Sequence, residues 1–313
     1  MPSKKPKPFL VVLDVGHGSA AVLHDEGGTV VFDTGKGAHV VRHLENASVR
    51  RVQAMLLSHA DADHIGGAVT LLMNTALRID EVLLNSDASK CSVVFEQLCF
   101  ALAEANQRAG TRINRRLTTS TQIERAGASI EVLHPTDAMA LSGVGGKTKS
   151  GQPHTSNSMS AAIRVSHGPK SSVVLGGDIE FDCLDEWKKR TIRPAASVLV
   201  FPHHGGLPGT SDDSDAELFA FEIMRQVGPE VVIFSNHRKQ FGNPRAEIIA
   251  AISKASGGIR FACTQLPDRM HRLVEESDLW CLHKATGRKA VVEGSICLVF
   301  HAAGVRVSFG EAP

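Results

Sequence analysis

Short apolar runs alternate with stretches of helical period along the whole chain. Residues 9–15 form a near-continuous apolar run and read as a buried strand ending at Gly16-His17-Gly18. Residues 20–24 and 29–33 flank Glu26-Gly27-Gly28, the composition of a hairpin turn. The pattern then predicts a helix over 38–46, a strand over 52–57, a helix over 65–77, a strand over 82–85 and a striped helix over Val93–Ala109. Strands follow at 112–117 and 129–133, then a loop over 142–153 with four glycines and two lysines, the composition of a mobile segment. A second hairpin, 158–165 with Ser172–Leu175, ends at Gly176-Gly177-Asp178. Helices at Phe181–Arg190, 216–227 and 246–256 alternate with strands at 197–201 and 231–235, and 259–309 reads as mainly strands. Hairpins early in each half argue against pure βαβ winding. The predicted class is α/β, with two mixed sheets between outer helices. No linker stands out, so residues 9–313 read as one domain after a basic tail at 1–8, with 259–313 a β-rich C-terminal elaboration.

Composition narrows the function classes. The chain has 313 residues, enough to bury a large core, and a formal net charge of +1, so no global field draws it to nucleic acid or membrane. No stretch reaches the roughly 20 apolar residues needed to span a bilayer. The six cysteines are scattered and match no short-spaced disulfide framework, the usage expected of a soluble cytoplasmic protein with buried thiols. Histidine occurs fifteen times, and its placement carries the chemistry.

The strongest chemical signal is His59-Ala60-Asp61-Ala62-Asp63-His64. A buried strand ends and four donors suited to Zn²⁺ or Mn²⁺ follow within six residues, before a helix begins. Alternate side chains of an extended segment face the same way. His59 and Asp61 are therefore expected to serve one cation, with Asp63 and His64, at the bend, serving another. The bland alternative is a solvated acidic turn with Asp63 as helix cap. Four ligand-type residues packed this tightly after an apolar strand argue against it. In the C-terminal segment Cys263, His271, Cys281 and His283 form a weaker candidate for structural zinc, irregularly spaced and lacking a CxxC knuckle.

The run resembles the HxHxDH motif of the metallo-β-lactamase superfamily, in the HxDxDH variant of the nuclease-like domain of the competence protein ComEC. Other segments fall in the same order. Asp14-Val15-Gly16-His17-Gly18 resembles DVGQG, Phe32-Asp33-Thr34-Gly35 resembles DTG, Gly176-Gly177-Asp178 resembles TGD, and Pro202-His203-His204-Gly205-Gly206 resembles PHHGS. The resemblance implies an αββα sandwich and a two-cation hydrolase in which Asp178 bridges the cations. His203 or His204 then closes the second set, His203 being favoured, while the other meets substrate. His154, in a segment resembling HTxGS, would complete the first set, with His134 its rival. His17 stands where relatives carry glutamine, and Asn243 where a segment ending in YGHP carries histidine, so His237 or His17 would have to supply that function.

The activity implied is phosphodiester hydrolysis of nucleic acid or nucleotides by cation-activated water. Asp61 or Asp63 would orient the water, and His204 or His237 would protonate the leaving oxygen. Lys147, Lys149, Arg238 and Lys239 are candidate phosphate contacts, each equally readable as solvated surface charge. Two other readings stand beside this one: lactone or ester hydrolysis, which the near-neutral charge keeps open, and a catalytically weak metal-binding partner subunit.

Overall fold

The apolar runs fold into two sheets that face one another, because alternate side chains of each strand must be buried on opposite sides. The computed structural model describes residues 7–87, 89–123, 125–147, 151–209, 212–274, 282–283, 290–291 and 294–309. In chain order the strands of the first half are β1 (Phe9–Val12), β2 (Ala21–Asp25), β3 (Gly28–Phe32), β4 (Arg51–Leu57), β5 (Arg78–Ile79), β6 (Glu81–Leu84), β7 (Arg112–Asn114) and β8 (Ser129–His134). Those of the second half are β9 (Ala162–Ser166), β10 (Ser172–Leu175), β11 (Val198–Val200), β12 (Val231–Phe234), β13 (Arg260–Cys263), β14 (Leu282–His283), β15 (Ala290–Val291), β16 (Ile296–His301) and β17 (Gly304–Phe309). The helices are α1 (His39–Asn46), α2 (Ala62–Ile65), α3 (Ala68–Met73), α4 (Val93–Ala109), α5 (Asp137–Ser142), α6 (Phe181–Arg190), α7 (Asp213–Val227), α8 (Ala246–Ala255) and α9 (Met270–Leu273).

The first sheet runs β17-β16-β1-β2-β3-β4-β6-β7, with β5 beside β4. The second runs β13-β12-β11-β10-β9-β8. Both are mixed: β3, β4, β6 and β7 are parallel, as are β10 to β13, while hairpins supply the antiparallel pairs. Leu10, Leu23, Val30 and Leu56 point inward to a core shared with Val132, Ile163, Val173 and Val198 of the other sheet. Their neighbours Val11, Val22, Val31, Met55 and Leu57 point outward under α1, α3 and α4. Helices α6, α7 and α8 cover the outer face of the second sheet around Trp187, Phe219 and Ile252. The four-layer αββα sandwich expected from the hairpin pattern is the architecture found.

Some elements differ from the expectation. The helix predicted over 65–77 is broken at Gly66-Gly67 into α2 and α3. The strand predicted over 112–117 stops at Asn114, and the tail contains α9 besides its strands. β16 pairs antiparallel with β1 and carries Ile296, Leu298 and Phe300 into the inter-sheet core. Residues 1–6 of the basic tail lie outside the described residues. No helix among the described residues is long and apolar enough to cross a membrane.

Candidate metal centre

The chemistry-bearing side chains all follow strand C-termini, where both sheets open at one rim. His17 comes after β1, Asp33 after β3, His59 to His64 after β4, Asp178 after β10, His203 and His204 after β11, and His237 after β12. Asp33, buried and left-handed at φ 51°, anchors the group. Its carboxylate accepts from Ser58 N at 2.7 Å, Ser58 Oγ at 2.8 Å and His64 Nδ1 at 2.7 Å. Holding His64 through Nδ1 turns its Nε2 inward, to 3.3 Å from Asp178 Oδ1. His59 is held alike: Nδ1 lies 3.1 Å from Ser58 Oγ and 3.2 Å from Ser160 Oγ. Since those hydroxyl oxygens face Asp33 and the Asp178 amide, the network assigns the His59 proton to Nδ1. Nε2 is then a bare lone pair, 3.9 Å from Asp178 Oδ2 and 4.0 Å from Asp61 Oδ2.

The turn Pro202–Gly205 presents two consecutive histidines with positive φ, 52° at His203 and 56° at His204. That costly conformation is pinned by His203 N donating to Gly177 O, and by Asn243 Nδ2 donating to His203 O at 3.3 Å. Asn243, where relatives are expected to carry histidine, therefore supports this turn. His204 Nε2 reaches Asp63 Oδ2 at 3.3 Å and Asp178 Oδ1 at 3.9 Å, while His203 Nδ1 lies 3.6 Å from Asp178 Oδ2. His17 Nε2 is 3.7 Å from Asp63 Oδ2.

Donor atoms thus gather in two groups, each within 4.8 Å: His59 with His64 and Asp178, and Asp63 with His204 and His17. The grouping differs from the expected pairing along the sequence, because α2 turns His64 back towards Asp178 and leaves Asp63 facing β11's turn. It also puts His204, rather than the favoured His203, beside Asp63. The Nε2 atoms of His59, His64, His203 and His204 are buried with no hydrogen-bond partner. The buried Nε2 atoms of His59, His64 and His204 around two carboxylates are a costly arrangement alone and a suitable donor set for divalent cations.

Electrostatics agree. Burial, then the neighbouring His64, lowers the His59 pKa to about 3. Burial, then His204, lowers that of His17 to about 4. Burial opposes charge on His64 too, yet Asp178 and Asp33 outweigh it and hold its pKa well above the ordinary value. Burial likewise works against charge on Asp178, but His64, His203 and His204 keep its carboxyl well below the usual range. At Asp63 the adjacent His204 and the charge of His64 overcome burial in the same way. Beside the site burial lifts Glu180, which accepts from Thr155 Oγ1, to about 7.

The remaining predicted residues fall elsewhere. His154 is buried with Nδ1 unpartnered, in the wall of a cavity of about 630 Å³ with Lys147, Met139 and Glu186, outside both donor groups. His134 Nε2 lies 2.8 Å from Ser158 O. His237 Nδ1 accepts from Lys239 N and Gln240 N, on a loop shared with Arg238 and Phe241. Lys149 and Cys281 lie outside the described residues, as do the side chains of His271 and His283. Sequence reasoning had no role for Asp33, Ser58 or Ser160 and missed Lys90, which pairs with Asp61. Asp33 carried a signal as the acid ending a buried strand, whereas Lys90 is joined to the site only by folding.

The chain is similar in part to several known proteins. A model of the metallo-β-lactamase superfamily matches residues 13–81, spanning the His17 loop, Asp33 and the whole His59–His64 turn. Recombination protein 2 of Haemophilus influenzae is 24% identical over 242 residues, which are 75% of this chain and 25% of that protein. Ribonuclease Z of Treponema denticola is 36% identical over 64 residues, 20% of this chain and 21% of that protein. The chain thus spans about a quarter and a fifth of the lengths of these curated relatives. Among solved structures, the metallo-β-lactamase fold protein YhfI of Bacillus subtilis aligns with a TM-score of 0.49 at 13% identity, covering 83% of this chain and 98% of that one. The similarity to the metallo-β-lactamase superfamily thus lies in the segment that carries the His59–His64 turn.

Proposed function

We propose that the protein is a metal-dependent hydrolase acting on phosphodiester bonds of nucleic acid or nucleotides. The observation that carries this reading is the convergence of the buried Nε2 atoms of His59, His64 and His204 on Asp178 and Asp63. The phosphodiester choice draws support from the two curated relatives, one named for recombination and the other a ribonuclease. Two divalent cations, zinc or manganese, would be held by His59, His64 and Asp178 and by Asp63, His204 and His17, with Asp178 between the sets and Asp61 and His203 at their edges. Such cations supply charge neutralisation at phosphoryl oxygens and a water acidified towards neutral pH.

The chain's own residues supply the positioning. Asp33 fixes the tautomer and direction of His64, and Ser58 with Ser160 does so for His59. Asp63, kept ionised, orients the attacking water. His237, with Nδ1 occupied as an acceptor, carries its proton on Nε2 and would pass it to the leaving oxygen. Arg238 and Lys239 adjoin it as phosphate contacts. The thiols Cys183 and Cys297, both buried, fit a reducing cytoplasm.

Incubation of the purified protein with Mn²⁺ or Zn²⁺ and end-labelled single- and double-stranded DNA and RNA tests the reading. Cleavage is expected, with Asp63→Ala slowing it at least about a hundred-fold. No cleavage of any substrate, or equal rates in wild type and variant, would sink the reading. Lactone hydrolysis alone would redirect it to the other activity.

A further inference from the structure

A file of aromatic rings leads from the buried donors to the surface and ends on an exposed phenylalanine. His59 packs on His64 at 4.1 Å between centroids, His64 on His204 at 5.4 Å, His204 on His17 at 4.5 Å, and His17 on Phe241 at 3.9 Å and 26°. Phe241 is nevertheless 63% exposed, so one ring face lies on His17 and the other is open. Its backbone has φ 63°, a conformation that costs a bulky L-residue about 1–2 kcal/mol. An apolar ring gains little from such a position through burial, and strain of this kind gathers where a site holds a ligand.

The surroundings are cationic. Arg238 and Lys239 precede Phe241 on its loop, and Lys36 lies close enough to His17 to oppose its protonation. The guanidinium of Arg269 lies against Gly242, its Nε and Nη2 buried without a hydrogen-bond partner. A flat exposed ring amid cations, one ring away from a phosphodiester-cleaving centre, matches what one unpaired nucleotide presents: an apolar base joined to an anionic phosphate.

We propose that the open face of Phe241 is a stacking platform for an unpaired nucleobase whose phosphate is presented to the metal centre. This specificity rests on the phosphodiesterase reading and sharpens it. Bases in an intact duplex already stack on their neighbours, so the platform selects single strands and frayed ends.

The test uses two readouts. Metal-free protein is titrated into a single-stranded oligonucleotide containing 2-aminopurine, whose fluorescence falls on stacking. Wild type and Phe241→Trp are expected to quench it, and Phe241→Leu is not. With Mn²⁺ added, the ratio of kcat/KM for a base-bearing over an abasic oligonucleotide is expected to fall about ten-fold or more in Phe241→Leu, through KM, and to recover in Phe241→Trp. Equal quenching by wild type and Phe241→Leu, or an unchanged ratio, overturns the platform. Cleavage with no Phe241 dependence leaves the hydrolase standing and removes the platform. Quenching that depends on Phe241 without cleavage of any oligonucleotide keeps the platform and removes the phosphodiesterase.

Discussion

His64 shows how single residues set the behaviour of the centre. Without metal its imidazolium is clamped between Asp33 and Asp178, and its pKa lies well above 6.5. A raised histidine pKa contributes stability that is full below the unfolded value and is lost as pH rises through the folded one. Asp178 and Asp63, both depressed, contribute stability present above the ordinary carboxylate range and lost as pH falls through their lowered values. Nε2 of this imidazolium carries a proton, which His64 would have to give up to hold a cation there. Metal uptake at pH 7 is therefore expected to release about one proton, and its affinity to rise with pH. Calorimetry in buffers of different protonation enthalpy reads this directly, and His64→Asn should abolish the release. Uptake without proton release would show that His64 is neutral in the metal-free protein.

Among the elements, the junction of α2 and α3 holds the two halves of the first donor group in register. Thr34 N and Oγ1 both donate to His64 O, and Gly67 N donates to Gly35 O, stitching the turn after β3 to the turn after β4. This contact is possible because position 67 lacks a side chain. A Cβ there would sit 2.7 Å from Thr34 O and 2.8 Å from Gly37 O, both backbone atoms. Gly67→Ala is expected to destabilise the fold by about 1–3 kcal/mol and, by shifting Asp33 away from His64, to weaken metal binding. Gly257→Ala, with nothing within 4 Å of the added atom, is the matched control and should leave both unchanged. Thermal melts with and without metal separate the two effects.

At the scale of the whole molecule, the end of the chain closes the first sheet around its beginning. β16 lies between β1 and β17, and Ile296, Leu298, Phe300 and Val307 fill the space between the sheets. Each such side chain contributes about 1.5–3 kcal/mol on burial. Losing four of them approaches the whole stability of an ordinary domain, about 5–15 kcal/mol. A chain ending at residue 293 is expected to lose cooperative unfolding and metal binding together, seen by circular dichroism melts and metal analysis. A cooperative melt in that truncated chain would show that β1 does not depend on β16.

Much of this was written in local pattern. Alternation at Leu10-Val11-Val12 and at Met55-Leu56-Leu57 follows from strand geometry, so two-sided burial and the sandwich were readable without coordinates. Residues that bind through neighbouring positions, as in His59-Ala60-Asp61-Ala62-Asp63-His64, announce a metal site in the same way. The grouping of those donors was not readable, because it depends on where α2 turns and on which of two adjacent histidines a strained turn directs at Asp63. Equally hidden were the clamp of Asp33 on His64, the Lys90 pair with Asp61, the stack of Phe241 on His17 and the return of β16 to β1. Each joins residues from 29 to nearly 300 positions apart. The sequence by itself determined the strand pattern and the ligand-type residues of the His59–His64 turn. Only the tertiary structure decided which donors meet, since contacts between distant segments are settled by how the layers pack.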